Sequence, residues 1–296
     1  VITGTESPAE AEYHRLRPRL FGIAYRILGS VAEAEDVVQD VWLRWQDYPH
    51  ETVDNPEAFL VTIATRLALN VAESARKRRE TYPGPWLPEP VDTSSDPALG
   101  AERAAVLESA VLMLLERLTP VERAAYVLRE AFDYPYDQIG SMLQQTPAAV
   151  RQLVSRARKH LAGRSRAHVV GAEQRRLLDA FLTAAQAGDF DALETMLTED
   201  ARSYSDGGGR VRAARYPLAG GARIARVVCA FSDRFWAGAT IERRSFNGQD
   251  SAVLIRDGVV YGILTVSGGP DGIDEVCWQL NPDKLSQFDG LPGLGE

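Results

Sequence analysis

The chain has 296 residues, 45% of them hydrophobic, and a formal net charge of −8. That length supports two or three domains with real cores, and the acidic balance excludes a protein that coats nucleic acid by bulk charge. No run is read as reaching transmembrane length, and no basic start leads into a secretory apolar segment, so a cytoplasmic location with no membrane partner is expected.

Residues 8–29 read as a first helix, with Leu16, Leu20, Ile23, Ala24 and Ile27 on one stripe. Ser30 with Glu33 three positions on signals a capping box for a second helix over 31–47. Ala34, Val37, Val38, Val41, Leu43 and Trp45 are among its apolar members, while Asp36 and Asp40 are four apart and share a face. Asn55-Pro56 opens a third helix to about residue 79. Its inner stripe is Phe59, Leu60, Ile63, Ala64, Leu67, Ala68 and Val71; its exposed end holds Asn70, Ser74 and Arg76-Lys77-Arg78-Arg79. A proline-rich linker follows, containing WLPEP from Trp86 to Pro90, and Trp86 is expected to pack on a flanking domain.

A second helical block covers 100–117, with Ala104, Leu107, Val111, Leu114 and Leu115, and then Pro120 to Phe132 behind the cap Thr119. PYDQIGSMLQQ is a short amphipathic helix, and Thr146-Pro147 opens a basic one. Val150, Leu153, Val154, Ala157 and Leu161 seat that helix, which leaves Arg151, Gln152, Ser155, Arg158 and Lys159 open and Arg156 at the boundary. A basic run is often only a solvated face. Here the partner helix, short turn, cap and apolar stripe coincide, which is the pattern of a helix-turn-helix DNA reader. Arg151 and Gln152 are placed to reach base edges, and the remaining cations to contact phosphates.

After residue 171 the pattern gives helices at 173–187 and 189–197, then strands and turns. Residues 252–267 read as two strands joined through Asp257-Gly258, and Glu275 to Leu280 as a closing strand. This is a separate α+β, cone-shaped domain. Asp206, Tyr204, Asp233, Arg210, Glu242 and Tyr261 are candidate pocket groups, but all four histidines precede residue 170, so no histidine base or His-based metal site exists there. Cys229 and Cys277 are expected as free thiols, with a bridge between them left open.

The motifs YRILGSVAEAEDVVQDVWLRW and NPEAFLVTIATRLALNVAESARKRR, with LTPVERAAYVLREAFDYPYDQIGSMLQQTPAAVRQLVSRARKHL, resemble regions 2 and 4 of extracytoplasmic-function sigma factors. WLPEP, DGGGR (Asp206, Gly207, Gly208, Gly209, Arg210) and NPDKL (Asn281, Pro282, Asp283, Lys284, Leu285) resemble the group with a fused SnoaL-like domain of the NTF2-like fold. The resemblance implies a multidomain chain: two all-α sigma domains, region 2 over 8–80 and helix-turn-helix region 4 over 104–168, joined by a linker at 81–103, then an α+β NTF2-like cone over 171–296. It implies that Asp36, Asp40 and Trp42 face the clamp helices of the largest subunit of core RNA polymerase, and that the helix from Pro120 lies near the flap. Arg66, Asn70 and Arg76, with the loop 47–54, would meet the −10 element of promoter DNA, and the helix from Pro147 the −35 groove. Pro147-Ala148-Ala149 departs from the usual start of that helix, so the −35 sequence stays open.

No cofactor, metal or catalytic residue is implied, and the third domain would regulate the sigma core in cis. A small-molecule ligand in its pocket is left open. Removing residues after about 281 is expected to alter promoter output and leave the fold intact. Two other readings stand beside this one: a helix-turn-helix regulator with a ligand-sensing domain, and a DNA-binding protein carrying an NTF2-like enzyme.

Overall fold

The computed structural model describes residues 7–93, 109–161 and 168–289. The expectations at Ala104 and Leu107, and for the linker beyond residue 93, lie outside the described residues. The chain forms two compact units, one of residues 1–80 with 112–162 and one of 81–111 with 163–296.

The first unit is helical. It comprises α1 (Pro8–Leu28), α2 (Val31–Gln46), α3 (Pro56–Glu80), α4 (Ser109–Leu115), α5 (Pro120–Glu130), α6 (Tyr136–Leu143) and α7 (Pro147–Leu161), α4 entering it from residue 112. Local chemistry sets the boundaries. Ser7 with Glu10 and Thr119 with Glu122 form reciprocal capping boxes before Pro8 and Pro120. Ser30 Oγ accepts from the Glu33 amide, and Gly29 ends α1 in the left-handed region. By length and composition α3 could cross a membrane, which corrects the expectation that no segment reaches that length. Its buried stripe of Leu60, Ala64, Leu67 and Ala68 instead packs against α1 and α2.

The second unit holds α8 (Ala172–Ala187), α9 (Phe190–Met196), β1 (Leu197–Asp206), β2 (Leu218–Ala219), α10 (Gly221–Trp236), β3 (Thr240–Phe246), β4 (Gln249–Arg256), β5 (Val259–Gly269), β6 (Gly272–Gln279) and the short α11 (Pro282–Leu285). Its described strands make one sheet in the order β2-β1-β6-β5-β4-β3, with only the β1–β6 pair parallel. Strand alternation gives the sheet two apolar faces. Ala252, Leu254, Leu264, Val276 and Trp278 join Phe181 and Ile224 in a core under the helices. Val253, Ile255 and Ile263 on the opposite face pack with Phe246, Leu285 and Phe288.

Two elements differ from the sequence reading. The segment expected to be strands and turns contains the 16-residue helix α10, whose Ile224, Val228, Phe231 and Phe235 fall at helical spacing. Asn247-Gly248 makes a second hairpin, with φ of 51° and 75°, matching Asp257-Gly258 at 52° and 75°. Both cysteines are free thiols; Cys277 is buried, and burial with the neighbouring Glu275 carboxylate pushes its pKa up.

Candidate functional site

The face of α7 follows from its apolar stripe. Val150, Leu153, Val154, Ala157 and Leu161 are buried, so Arg151, Gln152, Ser155, Arg156, Arg158 and Lys159 are left exposed. The turn before it is tight. Gln144 takes φ 55°, and a Cβ at Gly140 would lie 2.6 Å from the Gln145 carbonyl oxygen, so only glycine fits there. Two of the cations are already oriented by α5: Arg156 Nε donates to Glu122 at 3.0 Å and Arg158 Nη2 to Glu130 at 2.7 Å. The Arg151 guanidinium lies 5.7 Å from the Tyr136 ring centroid. Burial raises the pKa of Glu122, but hydrogen bonds from Thr119 and the Arg156 guanidinium outweigh it and hold the carboxyl below its ordinary range.

On α3, Asn70 and Arg76 are exposed. Arg66 is engaged: Nε donates to the Met142 carbonyl at 3.0 Å and Nη2 to the Ser141 carbonyl at 3.1 Å. The basic end of α3 divides in the same way, Arg78 binding Glu33 while Arg79 binds Glu116 and the Leu28 carbonyl. Buried Arg123 on α5 donates to the Ile27 carbonyl at 2.7 Å. Tyr134 accepts from Arg19 Nε at 2.9 Å and donates to Glu57 at 3.3 Å. The two helical blocks are thus joined into one unit by polar contacts as well as packing.

On α2, Asp36 and Asp40 are exposed on one face, and Leu43, which the sequence reading grouped with the apolar members, is 51% exposed beside them. Trp42 is half-buried and packs on Tyr13, with centroids 4.6 Å apart, and on His14.

The linker and the C-terminal unit meet at Asp206. This carboxylate is 0% exposed and accepts four hydrogen bonds, from Tyr82 Oη at 2.6 Å, Leu87 N at 2.9 Å, Gly208 N at 3.0 Å and Lys284 Nζ at 2.8 Å. Its lone-pair sites are then all used. Lys284, 7% exposed, also donates to the Leu87 carbonyl and sits 4.1 Å from the Trp86 ring centroid. Asn281 Nδ2 donates to Tyr82 Oη at 2.9 Å, and Gln279 Nε2 to the Pro88 carbonyl at 3.2 Å. Burial and the Asp206 carboxylate push the Tyr82 phenol well up, so it stays a donor.

The glycines are part of this latch. Gly208 and Gly209 have φ of 60° and 72°, and a Cβ would lie 2.4 Å from Asn281 atoms at the first and 2.7 Å from Pro83 at the second. At Gly207 it would lie 2.4 Å from the Val211 carbonyl oxygen. Arg210 pairs with Asp283 at 2.9 Å on the surface. Further along, Asp92 bridges to Phe246 and pairs with Arg244 at 3.1 Å, which covers the edge of β3. Removing the chain after 281 would delete buried Lys284, Leu285 and Phe288. That corrects the expectation that such a truncation leaves the fold intact.

A cavity of about 760 Å³ opens under α10. Of the six expected pocket groups only Tyr261 lines it. For two of the others strand alternation is the reason: Ser203 and Ser205 of β1 face the cavity, so Tyr204 and Asp206 do not.

Residues 13–80 match the Sigma-70 region 2 family and residues 108–161 the Sigma-70 region 4 family. The chain is 36% identical to the extracytoplasmic-function (ECF) RNA polymerase sigma factor SigJ of Mycobacterium tuberculosis, over 95% of this chain and 94% of that protein. It is 34% identical to the probable ECF sigma factor SigI of the same species, over 64% and 67%. The crystal structure of M. tuberculosis SigJ superposes with a TM-score of 0.76 and 29% identity, covering 93% of this chain and 98% of that one.

Proposed function

The chain belongs to the extracytoplasmic-function family of RNA polymerase sigma factors, and we propose how its parts divide the work of bringing the polymerase to promoters. The α7 face reads the −35 element, with Arg151 and Gln152 at base edges and Ser155, Arg156, Arg158 and Lys159 along the backbone. Asn70, Arg76 and, once released, Arg66 meet the −10 element. The Asp36, Asp40, Leu43 and Trp42 region of α2 docks on the clamp helices of the polymerase, and α5 lies near the flap.

The exposed face of α7, left open by its buried apolar stripe, carries this reading, and the compactness of the helical unit adds a requirement. A compact unit of roughly 130 residues is expected to span about 36 Å from the size scaling of folded domains. The −10 and −35 elements lie about 25 base pairs apart, or about 85 Å of duplex. Both cannot be read from the closed unit, so promoter recognition requires the region 2 and region 4 helices to separate. The contacts of Arg66, Arg79, Arg123 and Tyr134 hold the closed state. The Asp206 latch holds residues 82–93 of the linker on the C-terminal unit, and this is the contact through which that unit regulates the sigma core in cis.

Run-off transcription with core RNA polymerase tests this. The chain should confer promoter-specific transcription, and Asp36→Lys with Asp40→Lys should reduce it about tenfold or more through lost polymerase binding. Tight operator binding by the isolated protein, without any stimulation of core polymerase, contradicts it.

A further inference from the structure

We propose that the cavity of the C-terminal unit is an effector site for an apolar carboxylate, an aromatic or acyl acid, whose binding is transmitted to the Asp206 latch. The transmission rests on the latch reading above; the site itself does not. The volume of about 760 Å³ lies within the range of roughly 300–1,000 Å³ typical of small-molecule sites. One wall is aromatic. Phe235 makes edge contacts with Trp236, Tyr261 and Trp278 at centroid distances of 5.0, 5.6 and 5.4 Å, and Phe231 stands 57% exposed at the opening. An exposed aromatic surface in a concave site gains from displacing loosely held water.

The charge on the lining is of one sign. Arg212, Arg234 and Arg256 contribute guanidinium groups, and no carboxylate lines the cavity among the described residues. Arg256 is fixed: Nε donates to the Ala237 carbonyl at 3.0 Å, Nη2 to the Phe235 carbonyl at 2.6 Å, and its Cζ lies 4.5 Å from the Tyr261 centroid. Arg212 and Arg234 are exposed and make no ion pair among the described residues. Three cations in a unit that is otherwise acidic select an anion, and the planar fork of arginine suits a carboxylate. Apolar walls with a cationic mouth define an amphipathic acid.

The same wall adjoins the latch. Ser205 precedes Asp206 and Leu280 precedes Asn281, and the Leu280 amide donates to the Asp206 carbonyl at 2.8 Å. Residues 211–214 line the cavity and continue directly from the DGGGR turn. A ligand that orders this loop therefore acts on the backbone carrying the Asp206 carboxylate.

Calorimetry on the full chain with 2-naphthoate, beside the neutral analogue 2-naphthalenemethanol, tests the site. The acid should bind about tenfold more tightly than the alcohol. Arg212→Gln with Arg234→Gln should remove that preference, and Val228→Trp should abolish binding of both. Equal affinity for acid and alcohol, no binding of either, or a preference unchanged in the arginine variant overturns the site. Hydrogen exchange at the Leu87 and Gly208 amides, which donate to Asp206, should change when 2-naphthoate saturates the protein. Binding without such a change overturns the transmission. Neither result bears on the latch itself, which variants at Asp206 test without ligand.

Discussion

Arg66 of α3 donates its Nε to the carbonyl of Met142, 3.0 Å away at the end of α6 and 76 residues later in the chain. The last carbonyls of a helix have no partners within it, and a cation there satisfies them and opposes the helix dipole. Arg66→Ala should cost the helical unit about 1 kcal/mol, because the site is exposed to solvent. Urea unfolding measures that, and exchange at the amides of 141–145 should accelerate. On the proposed reading the same side chain meets the −10 DNA after opening, so transcription should fall as well.

Two α7 variants separate base reading from phosphate binding. Gln152→Ala should relax discrimination at one −35 position by about 1–3 kcal/mol. Lys159→Ala should weaken all sequences alike and lower the salt slope by about one. Holoenzyme binding to a panel of −35 substitutions at several salt concentrations distinguishes them.

Asp206→Asn leaves the Lys284 ammonium buried without its counter-charge. Breaking such a pair costs about 3–5 kcal/mol, so the C-terminal unit should unfold at clearly lower urea. Asp206→Asn with Lys284→Met should cost less than the sum of the two. Limited proteolysis should cut residues 82–93 faster in the single variant.

Gly208→Ala places a methyl in a left-handed position against Asn281. The expected penalty is about 1–3 kcal/mol, with Tyr82 fluorescence and linker protection shifting together. Gly258→Ala, also at positive φ but with nothing within 4 Å, controls for backbone strain alone.

The Glu122 carboxyl is held below its ordinary range in the folded helical unit. A folded pKa below the unfolded one means the stabilisation is complete above about pH 4.3 and declines as pH falls through the folded value. Acid titration of stability should therefore show a loss that Glu122→Gln reduces.

The helix-turn-helix was legible because Val150, Leu153, Val154, Ala157 and Leu161 repeat at helical spacing, which fixes the opposite face. The convergence of Asp206, Lys284 and Tyr82 was not, because no periodic signal reports contacts between residues up to 199 apart, such as Asn281 and Tyr82. The family motifs mark Asp206, Asn281 and Lys284 without showing what they touch, and no motif marks Tyr82. The engagement of Arg66 is hidden for the same reason: the apolar stripe of α3 excludes it but cannot name its partner. α10 was missed because Gly220-Gly221 and the β-branched pair Val227-Val228 mask a helical stripe. The sequence leaves the register of β1 open, and one residue decides whether Ser205 or Asp206 meets the pocket.

The closed helical unit is the centre of the account, and the distance between its two halves tests it directly. Fluorophores at Glu73→Cys and His160→Cys, both exposed, in a chain whose two native cysteines are replaced by alanine, report that distance by energy transfer. Transfer should be efficient in the free protein and fall close to zero when core RNA polymerase and promoter DNA are added, as the separation grows towards about 85 Å. Efficient transfer persisting in a complex that is actively transcribing would contradict the account.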